Sequence, residues 1–550
     1  MQSPKSGLDI MVPERFNPVL DILERWARQE PTASALVSIG PEGQLVKAQN
    51  AGELALESRR MARALIGLGV NKGDRVLIMM ARVPAWYPAM LGTLRIGAVA
   101  IPTPGQCTER DVAYRIKAAE PAVVIVDEFA ASRVAAVVGK HRSVKHWIAL
   151  SEKADGPPGW RDLDSLLNQA GDGATPEDPT AAEDPLLIFF TSGTVSYPKM
   201  VLHRQSYPLG HIATARDWHG IQSGDRHWTV SDTGWAKAAW GSLFGQWHEH
   251  ATVVQVNLGK PSAPIILSII RAHEVTSFCA PPTLYRLLVQ ENLKTYDLSC
   301  LRQCTAAGEP LNPEVIRAWR DGTGITIRDG YGQSETTLLV ANTLGLAVKS
   351  GSMGKPVSGY HVTVVDDQGA RLPAGQLGNI AVATVPRPAG LFSEYLHNEE
   401  ATHKVFRSGW YFTGDKAMLD EEGYFWFSSR ADDVITSAAY RIGPFEVESA
   451  LVEHPAVQEA AVVGKDDPER TQIVCAFVIL AKGFTGSEQL TQELQEHVKR
   501  VTAPYKYPRE IHYCEELPKT TSGKIRRSEL RQRLRGEHAS AGAFPLGANR

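Results

Sequence analysis

Cysteine is scarce in this chain: six thiols in 550 residues, Cys107, Cys279, Cys300, Cys304, Cys475 and Cys514. They are too few for a disulfide framework and lack the paired spacing of a zinc site, so reduced thiols and a cytoplasmic location are expected. An excess of charge is also missing. Lys and Arg number 58 against 61 Asp and Glu, a net charge of −3 that cannot gather nucleic acid or an anionic membrane; any basic patch is local. No uninterrupted apolar run reaches membrane-spanning length. The opening MQSPKSGLDIMVPERFN has neither the apolar segment of a secretory signal nor the arginines of a transit peptide. Internal repeats and low-complexity tracts are absent as well. Small-molecule partners are therefore expected, and assembly into a homo-oligomer is left open.

What is present is apolar residue in quantity, 43% of a chain too long for one core, which implies two to four domains. Between about residues 60 and 130, segments such as RRMARALIGLGV, DRVLIMM and AAEPAVVIVD alternate helical with strand-like patterns, at the spacing of a parallel α/β sheet. A second such series is expected after residue 200. The Gly-, Pro- and Asp-rich segment 151–184 reads as a surface connection between the two. From about 350 to 430 short strands take over, with a tight turn at Glu422-Gly423, as in a small β subdomain. After Arg430 a charged joint, RADD, leads into an α/β unit of roughly a hundred residues. Its helix near 445–454 starts at Gly443-Pro444 and stops at His454-Pro455. Residues 536–550 read as a frayed tail.

The stretch FFTSGTVSYPKM, 189–200, breaks an apolar run into hydroxyls, a glycine and Pro198-Lys199. Hydroxyls, backbone N–H groups and an ammonium on a bending loop make an oxyanion cradle suited to a polyphosphate. It is not a Walker loop, because Pro198 has no N–H to donate and Met200 cannot hold magnesium. Further on, LRQCTAAGEPLNPEVIRAW and ITIRDGYGQSETT form a βαβ pattern, with a helix capped by Asn312 that begins at Pro313. Its two loops emerge at the carboxyl ends of neighbouring strands, where α/β sheets bind ligands. They offer Gly308, Glu309 and Pro310 on one side and Asp329, Tyr331, Gln333, Ser334 and Glu335 on the other. A base could stack on Tyr331 while Glu335 holds magnesium.

Asp415, in GWYFTGDKA, stands before a hairpin strand, where a carboxylate can accept from both ribose hydroxyls. In LPKTTSGKIRR, Ser522-Gly523 presents Lys524 on a flexible turn. The arginines at 526, 527, 531, 533 and 535 read as a solvated helix face rather than a nucleic-acid site. Six histidines between 203 and 250 show no metal-site spacing. Trp218, Trp228, Trp235, Trp240 and Trp247 crowd the same region; most are expected in the core and a few around an apolar pocket.

Taken in order, TSGTVSYPK, GEP, DGYGQSE, TGD, SRADD, YRIGPFEVE and SGK resemble the adenylate-forming superfamily: acyl-CoA synthetases, peptide-synthetase adenylation domains and luciferase. SDTGW at 231–235, YRIGPFEVESAL and VTAPYKYPR at 501–509 most resemble the medium-chain acyl-CoA synthetases. The resemblance implies an α/β fold. A large N-terminal domain, 1–430, carries two doubly wound sheets and a β-barrel-like subdomain at about 350–430; it is hinged at Asp432 to a small α/β domain, 431–535. It also implies an ATP-dependent acid:CoA ligase. A carboxylate attacks the α-phosphorus of magnesium-ATP, and CoA thiolate then displaces AMP from the acyl-adenylate. ATP, magnesium and CoA are implied, and no tightly bound redox cofactor.

By the same resemblance Thr191, Ser192, Gly193, Thr194 and Lys199 hold the β- and γ-phosphates. Gly308, Glu309 and Pro310 border the adenine, and Tyr331 stacks on it. Asp329, Gly330, Gly332, Gln333 and Ser334 complete the nucleotide cleft. Glu335 takes the magnesium, Asp415 with Arg430 holds the ribose, and Lys524 reaches the carboxylate and α-phosphate. Catalysis is assigned to Lys524, Lys199 and Glu335. Gln106, Trp235 and Gly332 line the acyl pocket. Ala438, Ala439, Tyr440, Arg441, Arg470, Tyr505, Lys506 and Tyr507 meet CoA.

Gly332 stands where acetate-specific relatives carry Trp, so an open pocket floor and a medium-chain or aromatic acid are expected. Lys237, among Ala236, Ala238 and Ala239, is either solvated or matched to an acid with a second polar group. Two residues depart from the family. Ser196 replaces a frequent Gly, and Ala439 replaces the Gly before Tyr-Arg-Ile, where a methyl can narrow the pantetheine channel. The alternatives are transfer of the adenylate to an amine or carrier protein, a catalytically silent nucleotide- or acyl-binding homologue, and a luciferase-like oxygenase.

Overall fold

The computed structural model describes residues 10–150, 159–173, 175, 180–191, 198–309, 311–430, 433–437, 440–520 and 524–535. Within it, local sequence rules set where elements begin. Helix Ala51–Gly67 starts at a reciprocal cap: the Asn50 side chain accepts from Glu53 N at 2.8 Å, and Glu53 accepts from Asn50 N at 2.9 Å. Its buried face, including Leu54, Met61 and Leu65, packs on helix Trp86–Arg95. Gly92 permits that approach, since a Cβ there would lie 2.5 Å from Met61.

Among the described residues the strands form four sheets. An eight-stranded sheet runs Glu394–Tyr395, Met200–Arg204, Pro185–Phe190, Val99–Pro102, Arg75–Met79, Val123–Val126, His146–Ala149, Trp160–Asp162. A nine-stranded sheet runs Lys355–Pro356, Leu338–Ala341, Ile327–Gly332, Gln303–Ala307, Ser277–Ala280, Arg226–Thr229, Thr252–Val256, Ser34–Ile39, Leu45–Asn50. Most neighbours in both are parallel, and their strands are continuous apolar runs because helices cover both faces. Strands Val362–Val365, Gly378–Ala383, Phe406–Arg407, Trp410–Leu419 and Phe425–Arg430 make a smaller antiparallel sheet. The small C-terminal domain carries the fourth sheet, centred on the long pair Val457–Asp467 and Thr471–Leu480.

The structure corrects the sequence reading in several places. The two parallel series interleave rather than follow one another. Strands 185–190 and 200–204, either side of the hydroxyl-rich loop, complete the first sheet, while the N-terminal strands 34–39 and 45–50 close the second. The segment 151–184 contributes an edge strand, Trp160–Asp162, and a helix, Leu163–Ala170. Asp415 lies within strand Trp410–Leu419, not before it. Asn312 occupies the cap position of helix Pro313–Thr323 without making the cap bond. Its Nδ2 reaches across to Ser449 Oγ in the small domain, at 3.3 Å. The C-terminal arginines are ion-paired rather than merely solvated: Arg527 with Glu448 at 2.7 Å, Arg531 with Asp433 at 2.8 Å and Arg533 with Glu529 at 2.7 Å. The first two pairs bind helix Arg527–Leu534 to the rest of the small domain, and the third lies within the helix.

Candidate active site

The polar centre of the large domain forms where strand Ile327–Gly332 and the loop after it meet strand Trp410–Leu419. Tyr331 Oη donates to Asp415 Oδ2 at 2.6 Å, and Gln333 Nε2 donates to the same oxygen at 2.7 Å and to the Thr413 carbonyl at 2.9 Å. Tyr411 Oη in turn donates to Gln333 Oε1 at 2.7 Å. Asp415 is buried, and burial raises its carboxyl above the usual range against the opposing pull of Tyr331, Arg430 and Lys524. Arg430 is its register partner on the next strand. Asp415 thus sits among donors, in electrostatic range of two cations from different parts of the chain.

Beside this group, Tyr395 Oη donates to Glu335 Oε1 at 2.8 Å, and Lys199 Nζ lies 4.3 Å from the centre of the Tyr395 ring. Burial raises the Glu335 carboxyl despite that hydrogen bond and the attraction of Lys199. A carboxylate in that condition suits a hard cation with oxygen ligands, so the donor set fits magnesium. Lys199 follows Pro198, whose carbonyl accepts from Tyr114 Oη at 3.0 Å, and the Lys199 carbonyl accepts from Thr191 N at 3.0 Å. Ser334 is fixed through its carbonyl by the buried His203, at 2.7 Å.

The other loop holds Gly308, with φ +110° and open space where a Cβ would project, and Glu309, held by Arg286 and by Thr283 Oγ1 at 3.3 Å each. Asp329 is buried, accepts from Gly330 N at 3.0 Å and is pushed up to about 8 by burial. The Lys524 backbone is tied to Thr520, N to Oγ1 at 3.1 Å and carbonyl from N at 2.7 Å, while its side chain is exposed. Its charge reaches both Asp415 and Lys237. The candidates Thr191, Lys199, Glu335, Gln333, Tyr331, Asp415, Arg430 and Lys524 therefore belong to one region, drawn from both domains.

At the acyl end the open floor expected from Gly332 is not found. A Cβ on Gly332 would lie 2.6 Å from the indole of Trp240, which fills that side from a neighbouring helix. Trp235, half-buried, precedes that helix, Ala236–Gly241. Gly234 packs on the Thr103-Pro104 backbone, bringing the loop of Gln106 alongside, although Gln106 itself is exposed.

The CoA candidates gather on the small domain. The Tyr440 and Tyr505 rings stack at 4.0 Å, and Lys506 Nζ meets Glu446 at 2.5 Å. Exposed Arg470 precedes Thr471, the register partner of Ser437. Tyr507 packs partly into the domain core and accepts from Arg509 at 2.9 Å. Ser192, Gly193, Thr194, Pro310, Asp432, Ala438 and Ala439 lie outside the described residues, as do Ser196 and the side chain of Arg441.

Sequence reasoning missed Tyr395, Tyr411 and Arg286, and gave His203 and Trp240 no individual role. Tyr395 lies 60 residues from the Glu335 it serves, and nothing in its local sequence marks it. His203, His211, His219 and His227 are buried, and burial lowers the pKa of each. Of the tryptophans, 218, 228 and 247 are core, as expected.

The comparisons with known proteins agree with this geometry. Residues 23–396 match the AMP-binding enzyme family and 446–524 its C-terminal domain. The mouse mitochondrial acyl-coenzyme A synthetase ACSM3 is 41% identical over 97% of this chain and 93% of its own. Human mitochondrial ACSM5 is 44% identical over 96% and 92%. Among solved structures, an anthranilate CoA ligase, AuaEII, in complex with anthranoyl-AMP superposes with a TM-score of 0.88 at 30% identity, covering 96% of this chain and 98% of that one. A benzoate CoA ligase from Burkholderia xenovorans gives 0.83 at 28%, covering 94% and 100%. The chain belongs to the AMP-binding enzyme family and is an AMP-forming acyl-CoA synthetase, using ATP, magnesium and CoA.

Proposed function

We propose that this ligase activates a medium-chain or aromatic carboxylic acid, with the two domains dividing the chemistry. The observation that carries the residue assignment is geometric: Tyr331 and Gln333 converge on the buried Asp415, whose register partner is Arg430, and Tyr395 and Lys199 gather at Glu335. Lys524 of the small domain is the ammonium proposed to join them. An ammonium placed between the ribose carboxylate and the acyl side would meet the reacting carboxylate and the α-phosphate together. There it neutralises charge that grows as the pentavalent centre forms. Asp415, pre-bonded to Tyr331 and Gln333, accepts the ribose hydroxyls with Arg430. Tyr331 lies against the adenine beside Gly308, Glu309 and Pro310. Glu335 would hold magnesium, which supplies charge to the polyphosphate, while Lys199 and Thr191 to Thr194 grip the β- and γ-phosphates.

For the thioester step the small domain turns at Asp432, Lys524 withdraws, and the Tyr440–Tyr505 face approaches the adenylate. The division at 430 and the small domain of 431–535 are part of this reading. Free cysteines support a reducing compartment, and the cytoplasm is the location proposed; the mitochondrial names of the mammalian relatives make cell fractionation its test. Among the described residues, no helix is long and apolar enough to cross a membrane.

A pyrophosphate-release screen from acetate to dodecanoate and over substituted benzoates, with and without CoA, tests the substrate range and the acceptor in one plate. The expected result is release peaking in the middle of the series or on benzoates, with turnover raised by CoA. A maximum at acetate would overturn the acid range, and turnover indifferent to CoA would overturn the acceptor.

A further inference from the structure

Helix Ala236–Gly241 lies over the carboxyl ends of two adjacent strands. Lys237 Nζ donates to the Ala307 carbonyl at 2.9 Å, at the end of strand Gln303–Ala307. One turn on, Trp240 packs against Gly332, the last residue of Ile327–Gly332, and Ala307 is the register partner of Gly330. Between these two contacts the helix offers little but methyl groups, at Ala236, Ala238 and Ala239. The ammonium is therefore the polar feature that this wall presents beside the strand ends.

An ammonium carries three donors, and one is spent on Ala307. Among the described residues no carboxylate forms an ion pair with it. Glu309 and Asp329 attract it from a distance, but Glu309 is bonded to Arg286 and Thr283, and Asp329 to the Gly330 amide. Ala307, its acceptor, leads directly into Gly308 and Glu309 of the loop at the end of strand Gln303–Ala307. Burial lowers the Lys237 pKa, in keeping with a cation short of partners. A purely alkyl acid seated here would strip water from the remaining donors and return nothing. An acid with its own acceptor would satisfy them.

We propose that Lys237 is a specificity-determining residue that reads a hydrogen-bond acceptor, a hydroxyl, carbonyl or second carboxylate, carried by the acid near its reacting carboxyl. The strand ends set that position: Lys237 is held at Ala307, beside Gly330 and the Gly308 loop, where the proposed reading puts the carboxyl that becomes the adenylate. This inference rests on the ligase reading above and names the substrate feature within it.

The test uses the full chain with ATP and magnesium, measuring acid-dependent pyrophosphate release on matched pairs: benzoate with 2-hydroxybenzoate, and hexanoate with 3-hydroxyhexanoate and with adipate. Wild type should favour a substituted member by roughly ten-fold or more in kcat/KM, mainly through KM. Lys237→Met should erase that preference, and Lys237→Gln, which keeps neutral donors, should restore part of it. No preference in wild type overturns the inference whether or not either variant folds. So does an equal loss on both members of each pair in Lys237→Met, which would mean that the ammonium holds the reacting carboxylate itself. Release from every acid without preference overturns this inference and leaves the ligase reading standing. Release from none overturns the ligase reading and this inference with it.

Discussion

Around Asp415, Tyr331 and Gln333 are bonded to the carboxylate and Tyr411 to Gln333; Asp415 and Tyr411 are buried, and Tyr331 and Gln333 are half-buried. Around Lys524 the side chain is exposed, and its backbone is hydrogen-bonded to Thr520. The first region is a preorganised receptor, in which binding needs little rearrangement. The second is a charge on an arm, whose worth depends on where its domain stands. One region should therefore act in both half-reactions and the other in one.

The strongest way to break this contrast is Lys524→Ala. Acid-dependent pyrophosphate release should fall by about 10²- to 10³-fold, as when a donor to developing charge is removed. Thioester formation from supplied acyl-adenylate should be spared; equal loss of both steps would contradict a half-reaction role. Next comes Asp415→Ala, which leaves Tyr331 Oη without its acceptor at a cost of roughly 1–3 kcal/mol and leaves Gln333 Nε2 only the Thr413 carbonyl. The KM for ATP should rise by about ten- to a hundred-fold and the thioester step should weaken too, since the same carboxylate holds AMP. A defect confined to adenylation would erase the distinction between the regions.

A smaller effect concerns pH. Asp329 is raised to about 8 from an ordinary 3.8, so the folded state retains its proton where the unfolded state has lost it. Its contribution is fully present below about 3.8 and is lost as pH rises through about 8. Asp329→Asn should therefore melt higher than wild type at pH 9, and the gain should shrink toward pH 4 in a thermal melt. A gain independent of pH would remove titration as its cause. The smallest expected change is Asn312→Ala, which deletes the hydrogen bond to Ser449 across the domains, worth about 0.5–1.5 kcal/mol. Adenylation should slow by no more than about ten-fold relative to thioester formation. An unchanged ratio would show that this contact does not bias the orientation.

The candidate site could be proposed from the sequence because its pieces are short and local: the DGYGQSE loop, the TGD turn and Lys524 each suggest their own chemistry. Helix starts were legible for the same reason, Gly443-Pro444 among them. What escaped was long-range. No pattern near residue 395 announces a tyrosine that braces Glu335, and no property of Gly332 reveals that an indole from residue 240 fills its missing side chain. Asn312 misled in a third way. The residue type and position suit a cap, but its Oδ1 accepts from Arg286, 26 residues earlier, while its Nδ2 reaches Ser449, 137 residues on. The interleaving of the sheets was hidden too, because strand patterns state what a segment is and not which neighbour it will find.

That interleaving has a consequence for synthesis. Ser38 faces Gln255 across the nine-stranded sheet, 217 residues later in the chain. At about 5–20 residues per second, the N-terminal hairpin waits roughly 10–45 s on the ribosome before its mate emerges. Throughout that interval strand Ser34–Ile39 has its hairpin partner on one side and no neighbour on the other. The opening hairpin of this enzyme is thus a natural client for a nascent-chain chaperone.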